Sequence, residues 1–338
     1  VYVANCTACH NADPALDGSL GPATAGSSIE LLEARLLRNS YPEGYTPKRD
    51  SRVMMALPYL KDDIPALAAY LASVGVGHGD RVALAMRNLP EWVVGYWATV
   101  RLGAAVVGMN AWWVEDEMEY ALNDAAPKVM FTDNERLQRF LNIRDKFTNL
   151  ITVGIRLPET ADGVIPFGNV VTTGGSLPEA EFDPDSDACI FYTSGTTGYP
   201  KGAQLTHRGC VHNVLNLAFA ANLSTMTQCR LKGVQPPEPE DSPKSSTLVT
   251  TPLFHVTANN CLAQGTTVGG GKLVHMYRCD ALEALKLIEQ EKITNITGVP
   301  VMSRELIGHP DFDRYDTSSL LAVGGGGAQL QPDLVGKI

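Results

Sequence analysis

The residues best suited to chemistry form one glycine- and hydroxyl-rich segment, which runs from Tyr192 to Gly202 and follows the apolar stretch Ala188–Phe191. Its glycines permit positive φ and close backbone approach to a ligand, and its amides, hydroxyls and Lys201 can surround phosphate oxygens. It differs from the G-x-x-x-x-G-K-[ST] loop, because Pro200 precedes Lys201 and no Ser or Thr follows it. Such a stretch taken alone is more often a plain surface loop. As a phosphate site it would use Thr193, Ser194, Gly195, Thr196, Thr197, Gly198 and Lys201.

A second group of reactive side chains lies near the start of the chain, where Cys6, Cys9 and His10 form the C-x-x-C-H pattern of c-type haem attachment. In that chemistry two thiols form thioethers with the haem vinyl groups and the adjacent imidazole binds the iron. The alternatives are a chance match, a zinc site or a redox thiol pair. A zinc site needs a second pair of ligands nearby, and His10 has no such neighbours.

Composition excludes some classes of function. The chain has 338 residues, of which 44% are hydrophobic and 19% charged, as in ordinary globular proteins. Its net charge of -10 disfavours binding to nucleic acid. No apolar run is long enough for a transmembrane segment. Five of the seven cysteines are scattered singly, as reduced thiols usually are.

The elements that position these groups are predicted from hydrophobic periodicity. From Gly79 onward apolar strands alternate with amphipathic helices, which indicates a mainly parallel sheet covered on both faces. Before it, short helices and loops fill residues 1–74, and the stretch 232–246 is predicted to be an exposed loop. The strands are predicted at 81–86, 104–108, 128–132, 150–153, 188–192 and 320–323, and the helices at 61–73, 91–102, 116–124 and 134–146.

Residues 1–74 resemble the class I cytochromes c. The C-x-x-C-H pattern, Gly21-Pro22 and the run from Arg52 to Leu60 before a last helix all fit that family. The resemblance implies a small all-α domain with haem c, His10 and Met54 as iron ligands, and redox partners. Met55 is the alternative axial ligand. The family's helix before C-x-x-C-H is almost absent here, so we expect this segment to be truncated.

Residues 75–338 resemble the adenylate-forming superfamily, which includes acyl-CoA synthetases. Besides the hydroxyl-rich segment, the resemblance rests on motifs in the expected order: Gly77-His78-Gly79-Asp80-Arg81, Leu205-Thr206-His207-Arg208, Pro252-Leu253-Phe254-His255, Thr297-Gly298-Val299-Pro300 and Gly324-Gly325-Gly326-Gly327-Ala328. The resemblance implies an α/β fold of adenylate-forming type. The junction with the cytochrome-like segment is expected between residues 61 and 76, at a helix that either module could use.

The resemblance also implies a reaction: ATP and a carboxylic acid give an acyl-adenylate, and coenzyme A then displaces AMP. Lys201 and a Mg²⁺ would stabilise the phosphoryl oxygens, and His255 would position the carboxylate. The substrate and adenine side would be formed by Gly298, Gly326, Gly327 and Ala328. Apolar side chains near that side suggest a fatty or other apolar acid, namely Val299, Met302 and Leu306.

The family's later motifs have no counterpart before Ile338. We therefore expect a ligase module that is incomplete at both ends and forms no acyl-CoA by itself. Two alternatives stay open: a haem c electron-transfer protein and a non-catalytic nucleotide-binding fragment. The ligase module is expected in the cytoplasm and the cytochrome-like module in the periplasm, two compartments that conflict.

Overall fold

The computed structural model describes residues 59–171, 176–180, 182–193, 198–236 and 244–325. In these ranges strands alternate with helices through most of the chain. The helices are α1 (Tyr59–Ser73), α2 (Pro90–Val100), α3 (Glu115–Ala125), α4 (Asn134–Leu141), α5 (Phe167–Val171), α6 (His207–Lys232), α7 (Gln264–Val268), α8 (Ala281–Glu291) and α9 (Pro300–Ile307). The strands are β1 (Arg81–Ala85), β2 (Ala105–Gly108), β3 (Val129–Asp133), β4 (Ile151–Ile155), β5 (Val164–Pro166), β6 (Asp187–Thr193), β7 (Lys201–Thr206), β8 (Ser246–Val249), β9 (Lys272–His275), β10 (Asn295–Gly298) and β11 (Ala322–Gly325).

The described strands form two sheets. The larger sheet has the order β5-β4-β3-β1-β2-β6-β7. Its pairs are parallel except for β6 and β7, which form an antiparallel hairpin. The smaller sheet has the order β11-β10-β8-β9 and is parallel throughout. Parallel strands are buried on both faces, which explains the nearly continuous apolar runs. The predicted α/β class with a mainly parallel sheet is confirmed.

One hydrophobic core joins the larger sheet to the start of the smaller one. It includes Val82 and Trp92 from the larger sheet and its helix α2, and Val249 and Phe254 at the end of β8. Helix α1 contributes to the same core through four buried side chains, Ile64, Leu67, Ala68 and Leu71. The helix could have belonged to the cytochrome-like segment or to the α/β module. In the structure it packs in the α/β core. The domain boundary between residues 74 and 75 stays a prediction.

Several elements differ from the prediction, among them the strand predicted over 320–323, which lies at Ala322–Gly325. The helix predicted over 134–146 ends at Leu141, and a 3₁₀ turn follows at Arg144–Lys146. Hydrogen bonds between residues three apart tighten this region, among them Ile143 N to Phe140 O at 3.0 Å. Strand β7 was not predicted, because its exposed residues lack an apolar alternation.

The predicted all-α segment, with Cys6, Cys9, His10 and Met54, lies outside the described residues. Within the described ranges, no helix is both long and apolar enough to span a bilayer.

Candidate functional site

The hydroxyl-rich segment connects the two strands of the β6–β7 hairpin. Thr193 ends β6, Lys201 begins β7, and the two residues are partners in the antiparallel register. Thr193 Oγ1 donates a hydrogen bond of 3.3 Å to the carbonyl oxygen of Lys201. Gly198 has a φ of 143°, a value that side-chain-bearing residues rarely adopt. The loop thus leaves the carboxyl end of a buried parallel strand, where ligands of α/β sheets usually bind.

The centre of this loop lies outside the described residues, namely Ser194, Gly195, Thr196 and Thr197. Of the predicted phosphate-binding residues, the structure therefore describes Thr193, Gly198 and Lys201. The Lys201 side chain is exposed, and its ammonium makes no ion pair with any described residue. It is therefore available to an anionic ligand.

Two tyrosines, one near each end of the loop, contact helix α3. Tyr199 stacks on Tyr120 with a centroid distance of 4.6 Å and an interplanar angle of 16°. At the β6 end, the Tyr192 hydroxyl donates a hydrogen bond of 2.7 Å to Asp124 Oδ2. Burial and the neighbouring Asp124 carboxylate raise the pKa of Tyr192, so its phenol stays protonated. These contacts fix the frame that carries the loop.

His255 lies beyond the end of β8, next to a tight contact between the two sheets. Its neighbour Phe254 is buried, and the two rings have centroids 4.7 Å apart. A Cβ atom on Gly108 would lie 2.6 Å from Phe191 Cδ1 and 3.3 Å from Phe254 Cα, so only glycine permits this approach. His255 is exposed on one side, and partial burial lowers its pKa, which favours the neutral imidazole. A neutral imidazole can donate a hydrogen bond to a carboxylate from its protonated ring nitrogen, and the carboxylate keeps its negative charge.

Asn88, which sequence reasoning missed, fixes the backbone before His255. Its buried side chain donates a hydrogen bond of 2.9 Å to the carbonyl oxygen of Thr251, and it accepts one of 2.9 Å from the backbone N–H of Leu253. It thereby ties the loop after β1 to the loop after β8. Its position in the sequence could have indicated this role. Asn88 lies between a buried strand and Pro90, which begins α2, and an Asn amide in such a turn usually forms hydrogen bonds with backbone groups.

Gly298 ends β10 beside a small cavity. The cavity lies between β10 and helices α8 and α9, and Thr250, Met302 and Leu306 are among its lining residues. A Cβ on Gly298 would approach Met302 Sδ to 3.0 Å and Thr250 Oγ1 to 3.4 Å. Of the predicted apolar residues, Leu306 is buried in the core of the smaller sheet, and Met302 and Val299 are half-buried. Gly326, Gly327 and Ala328 lie outside the described residues.

The sequence matches the family model described as "AMP-binding enzyme" over residues 59–338. The chain belongs to this family. The AMP-binding match begins at the first residue of helix α1, and it includes the hydroxyl-rich loop, His255 and Gly298.

Several curated members of the AMP-binding family are similar to this chain. The "4-coumarate--CoA ligase 2" of Oryza sativa subsp. japonica is 29% identical over 280 residues, with 79% of this chain and 47% of that protein covered. The "Long-chain-fatty-acid--CoA ligase" of Bacillus subtilis is 28% identical over 302 residues, covering 81% and 51%. The human "Medium-chain acyl-CoA ligase ACSF2, mitochondrial" is 25% identical over 377 residues, covering 100% and 55%. The chain spans about half the length of the curated relatives it matches.

Solved structures of the family share this fold. The anthranilate CoA ligase AuaEII in complex with anthranoyl-AMP superposes with a TM-score of 0.71 at 22% identity, over 87% of this chain and 53% of that one. ATP-bound MatB from Rhodopseudomonas palustris gives a TM-score of 0.64 at 26% identity, over 81% and 50%.

Proposed function

We propose that this chain is the nucleotide- and acid-binding part of an enzyme that activates a carboxylic acid with ATP, through an acyl-adenylate, for transfer to coenzyme A. The observation that carries the proposal is the loop between Thr193 and Lys201, at the carboxyl end of a buried strand, with a Lys201 ammonium that pairs with no carboxylate among the described residues. Membership of the AMP-binding family supports it. The CoA ligases among the relatives support the thioester as the product.

In this proposal Lys201, His255 and Thr193 have different roles. Lys201 places a positive charge beside the transferring phosphoryl group, and fixed charges of this kind lower the barrier because they need no reorganisation. His255 positions the acid through a hydrogen bond, held in place by Phe254 and Asn88. Thr193 Oγ1 already bonds the Lys201 carbonyl, so its contribution to the ligand is backbone and frame rather than a free hydroxyl.

Magnesium would neutralise phosphate charge when bound. Within the described ranges, no group of three or more His, Cys, Asp or Glu side chains is arranged to hold a metal ion. The described residues therefore do not by themselves form a site for Mg²⁺. An ion held mainly by ATP phosphates and water needs only one or two protein carboxylates.

We propose an apolar acid as substrate. Ile296, Met302 and Leu306 place apolar side chains beside Gly298, next to the polar Thr250, Ser303 and Glu305, and apolar side chains favour hydrocarbon over polar groups. The cavity among them is too small to hold an acid as it stands, so the proposal rests mainly on the relatives. The names of the relatives include both aromatic and fatty acids, so a panel should contain both. The ligase activity is proposed to take place in the cytoplasm, where ATP and coenzyme A are available.

The test is ATP–pyrophosphate exchange by the purified chain with a panel of fatty and cinnamic acids. Exchange that depends on added acid supports activation. ATP binding without exchange for any acid would instead favour the alternative of a non-catalytic nucleotide-binding fragment.

For residues 1–58 we propose haem c attachment through Cys6, Cys9 and His10, with Met54 as the sixth ligand. The observation in its favour is that the family match begins at residue 59, after the whole C-x-x-C-H pattern. The competing observation is the human ligase alignment, which covers the entire chain. A visible spectrum decides, because covalent haem gives a sharp Soret band that survives acid–acetone extraction. A colourless protein with free Cys6 and Cys9 would refute it.

A further inference from the structure

Two cysteines outside the proposed site lie close together in the interior. Cys189 is in β6 and Cys210 is in the first turn of α6, and their sulfur atoms are 4.0 Å apart. Cys189 is fully buried, while Cys210 is 9% exposed at the edge of the same core. Both are free thiols. The pair joins the strand that leads into the loop to the helix that follows the hairpin.

Polar groups around the pair favour negative charge on one sulfur. The Asn260 amide nitrogen lies 3.2 Å from the Cys210 sulfur and 3.9 Å from the Cys189 sulfur. The Asn260 side chain is itself oriented, because its Oδ1 accepts 3.1 Å from Asn259 Nδ2. The other titratable group facing the pair is the buried Tyr96, whose hydroxyl accepts 2.7 Å from Gln264 Nε2.

These surroundings give the two thiols different characters. The hydrogen bond from Cys189, followed by Tyr96 and Asn260, lowers the pKa of Cys210. The same hydrogen bond and burial raise the pKa of Cys189. Cys210 is therefore the thiol that deprotonates more readily, and the thiolate is the nucleophilic form. It is also the more accessible of the two.

We propose that Cys189 and Cys210 form a peroxide-sensitive dithiol switch that changes the geometry of the β6–β7 hairpin, the two strands that carry Thr193 and Lys201. The regulatory part rests on the proposed function, because the loop between Thr193 and Lys201 is the proposed nucleotide site. The oxidation itself does not depend on it.

The chemistry balances with hydrogen peroxide as oxidant. The Cys210 thiolate attacks one oxygen of the peroxide. A sulfur–oxygen bond forms, the O–O bond breaks, and the leaving hydroxide takes the proton that the Cys210 thiol released, which gives the first water. The Cys189 sulfur then attacks the Cys210 sulfur, the sulfur–oxygen bond breaks, and the leaving hydroxide takes the Cys189 proton as a second water. Two thiols are thus oxidised to one disulfide while one peroxide is reduced to two waters.

The effect on the loop follows from the distances. A disulfide bond is about 2.05 Å long, so the sulfurs must approach by about 2 Å from their separation of 4.0 Å. Rotation of the two side chains supplies part of this approach, and in the proposal β6 or α6 takes up the rest. Cys189 pairs with Leu205 in the hairpin register, and α6 begins directly after β7. The movement therefore acts on the hairpin that carries Thr193 and Lys201.

The first experiment is peptide mapping of the native chain with and without peroxide. Trypsin cleaves after Lys201 and Arg208, so the two cysteines fall in different peptides that only a disulfide keeps together. Because Cys229 shares a tryptic peptide with Cys210, the mapping is done in Cys229→Ser. A dithiothreitol-reversible link from Cys189 to Cys210 is expected. Its absence under native conditions, or its appearance only in denaturant, overturns the proposal.

The second experiment measures coupling by hydrogen–deuterium exchange over residues 187–206 in reduced and oxidised wild-type chain. We expect a changed exchange rate that dithiothreitol reverses, that persists in Cys261→Ser and that is absent in Cys210→Ser. Equal exchange in both redox states overturns the switch. ATP affinity is measured in the same samples, and we expect a change of at least about threefold, or about 0.7 kcal/mol. If neither form binds ATP, the proposed function fails, while the exchange data still decide whether the disulfide moves the hairpin.

Discussion

Asp133 and Arg136 form an ion pair in the interior of the chain, with 2.9 Å between Asp133 Oδ2 and Arg136 Nη1. The Arg136 side chain is fully buried and that of Asp133 is 6% exposed. Asp133 Oδ1 also accepts from the backbone N–H of Arg136 and caps helix α4. Its Oδ2 accepts 3.1 Å from the backbone N–H of Arg87. The Asp133 carboxylate therefore shares the neutralisation of a buried cation with Glu135, which lies 2.6 Å from Arg136 Nη2, and it also joins the ends of β1 and β3.

Asp133→Ala should destabilise the chain by about 3 kcal/mol, because it leaves the buried guanidinium with the half-exposed Glu135, 2.6 Å from Arg136 Nη2, as its remaining anionic partner. The matched control is Asp280→Ala. Asp280 caps α8 by accepting 2.8 Å from the Glu283 backbone N–H at an exposed site, so its loss should cost only about 1 kcal/mol. Urea unfolding measures both. Equal losses would show that the Arg136 charge is compensated elsewhere.

His275 predicts a pH dependence of stability. Burial, with a smaller contribution from Arg156, lowers its pKa to about 4, while an unfolded histidine has a pKa of about 6.5. The unfolded state therefore binds more protons between these values, and stability is complete above about pH 6.5 and falls as the pH is lowered toward 4. The loss should reach about 2–3 kcal/mol.

Urea unfolding at pH 7 and pH 4.5 measures the loss attributed to His275. His275→Gln should flatten the pH dependence over this interval. His212→Gln, at an exposed position in α6, should leave it unchanged. An identical slope in His275→Gln and wild type would contradict the assignment.

Gly108→Ala should destabilise the chain by about 1–3 kcal/mol, because the added methyl group overpacks the contact with Phe191 and Phe254. It should also weaken binding of the acid more than binding of ATP, since Phe254 directly precedes His255. The control is Gly77→Ala, because a Cβ there meets no atom within 4 Å. Separate titrations with ATP and with acid plus ATP measure the two effects. A uniform loss of both would point to general unfolding.

The sequence predicted the five central strands of the larger sheet, because apolar runs such as 81–86 are typical of parallel strands buried on both faces. It did not predict the short or exposed strands β5 and β7, nor β8, β9 and β10 of the smaller sheet. It also located the loop after β6 and the His255 segment through ordered motifs. Asn88 was missed because its partners are backbone groups of Thr251 and Leu253, far along the chain. The pairing of Cys189 with Cys210 was missed for a similar reason. Two cysteines 21 positions apart become neighbours only when α6 packs beside β6.

The proposed function requires the loop between Thr193 and Lys201 to bind the phosphate of an acyl-adenylate. The most direct measurement is the affinity of an acyl-sulfamoyl-adenosine, a stable mimic of that intermediate, for wild type, Lys201→Ala and Lys286→Ala. Lys286 is a lysine on α8 paired with Glu283 at 3.4 Å, so its variant controls for loss of surface charge. We expect the mimic to bind more tightly than AMP, and Lys201→Ala to weaken it about tenfold or more, since a charge-assisted hydrogen bond contributes about 1.5–3 kcal/mol. Equal affinity in Lys201→Ala and Lys286→Ala, or no gain of the mimic over AMP, would contradict the account.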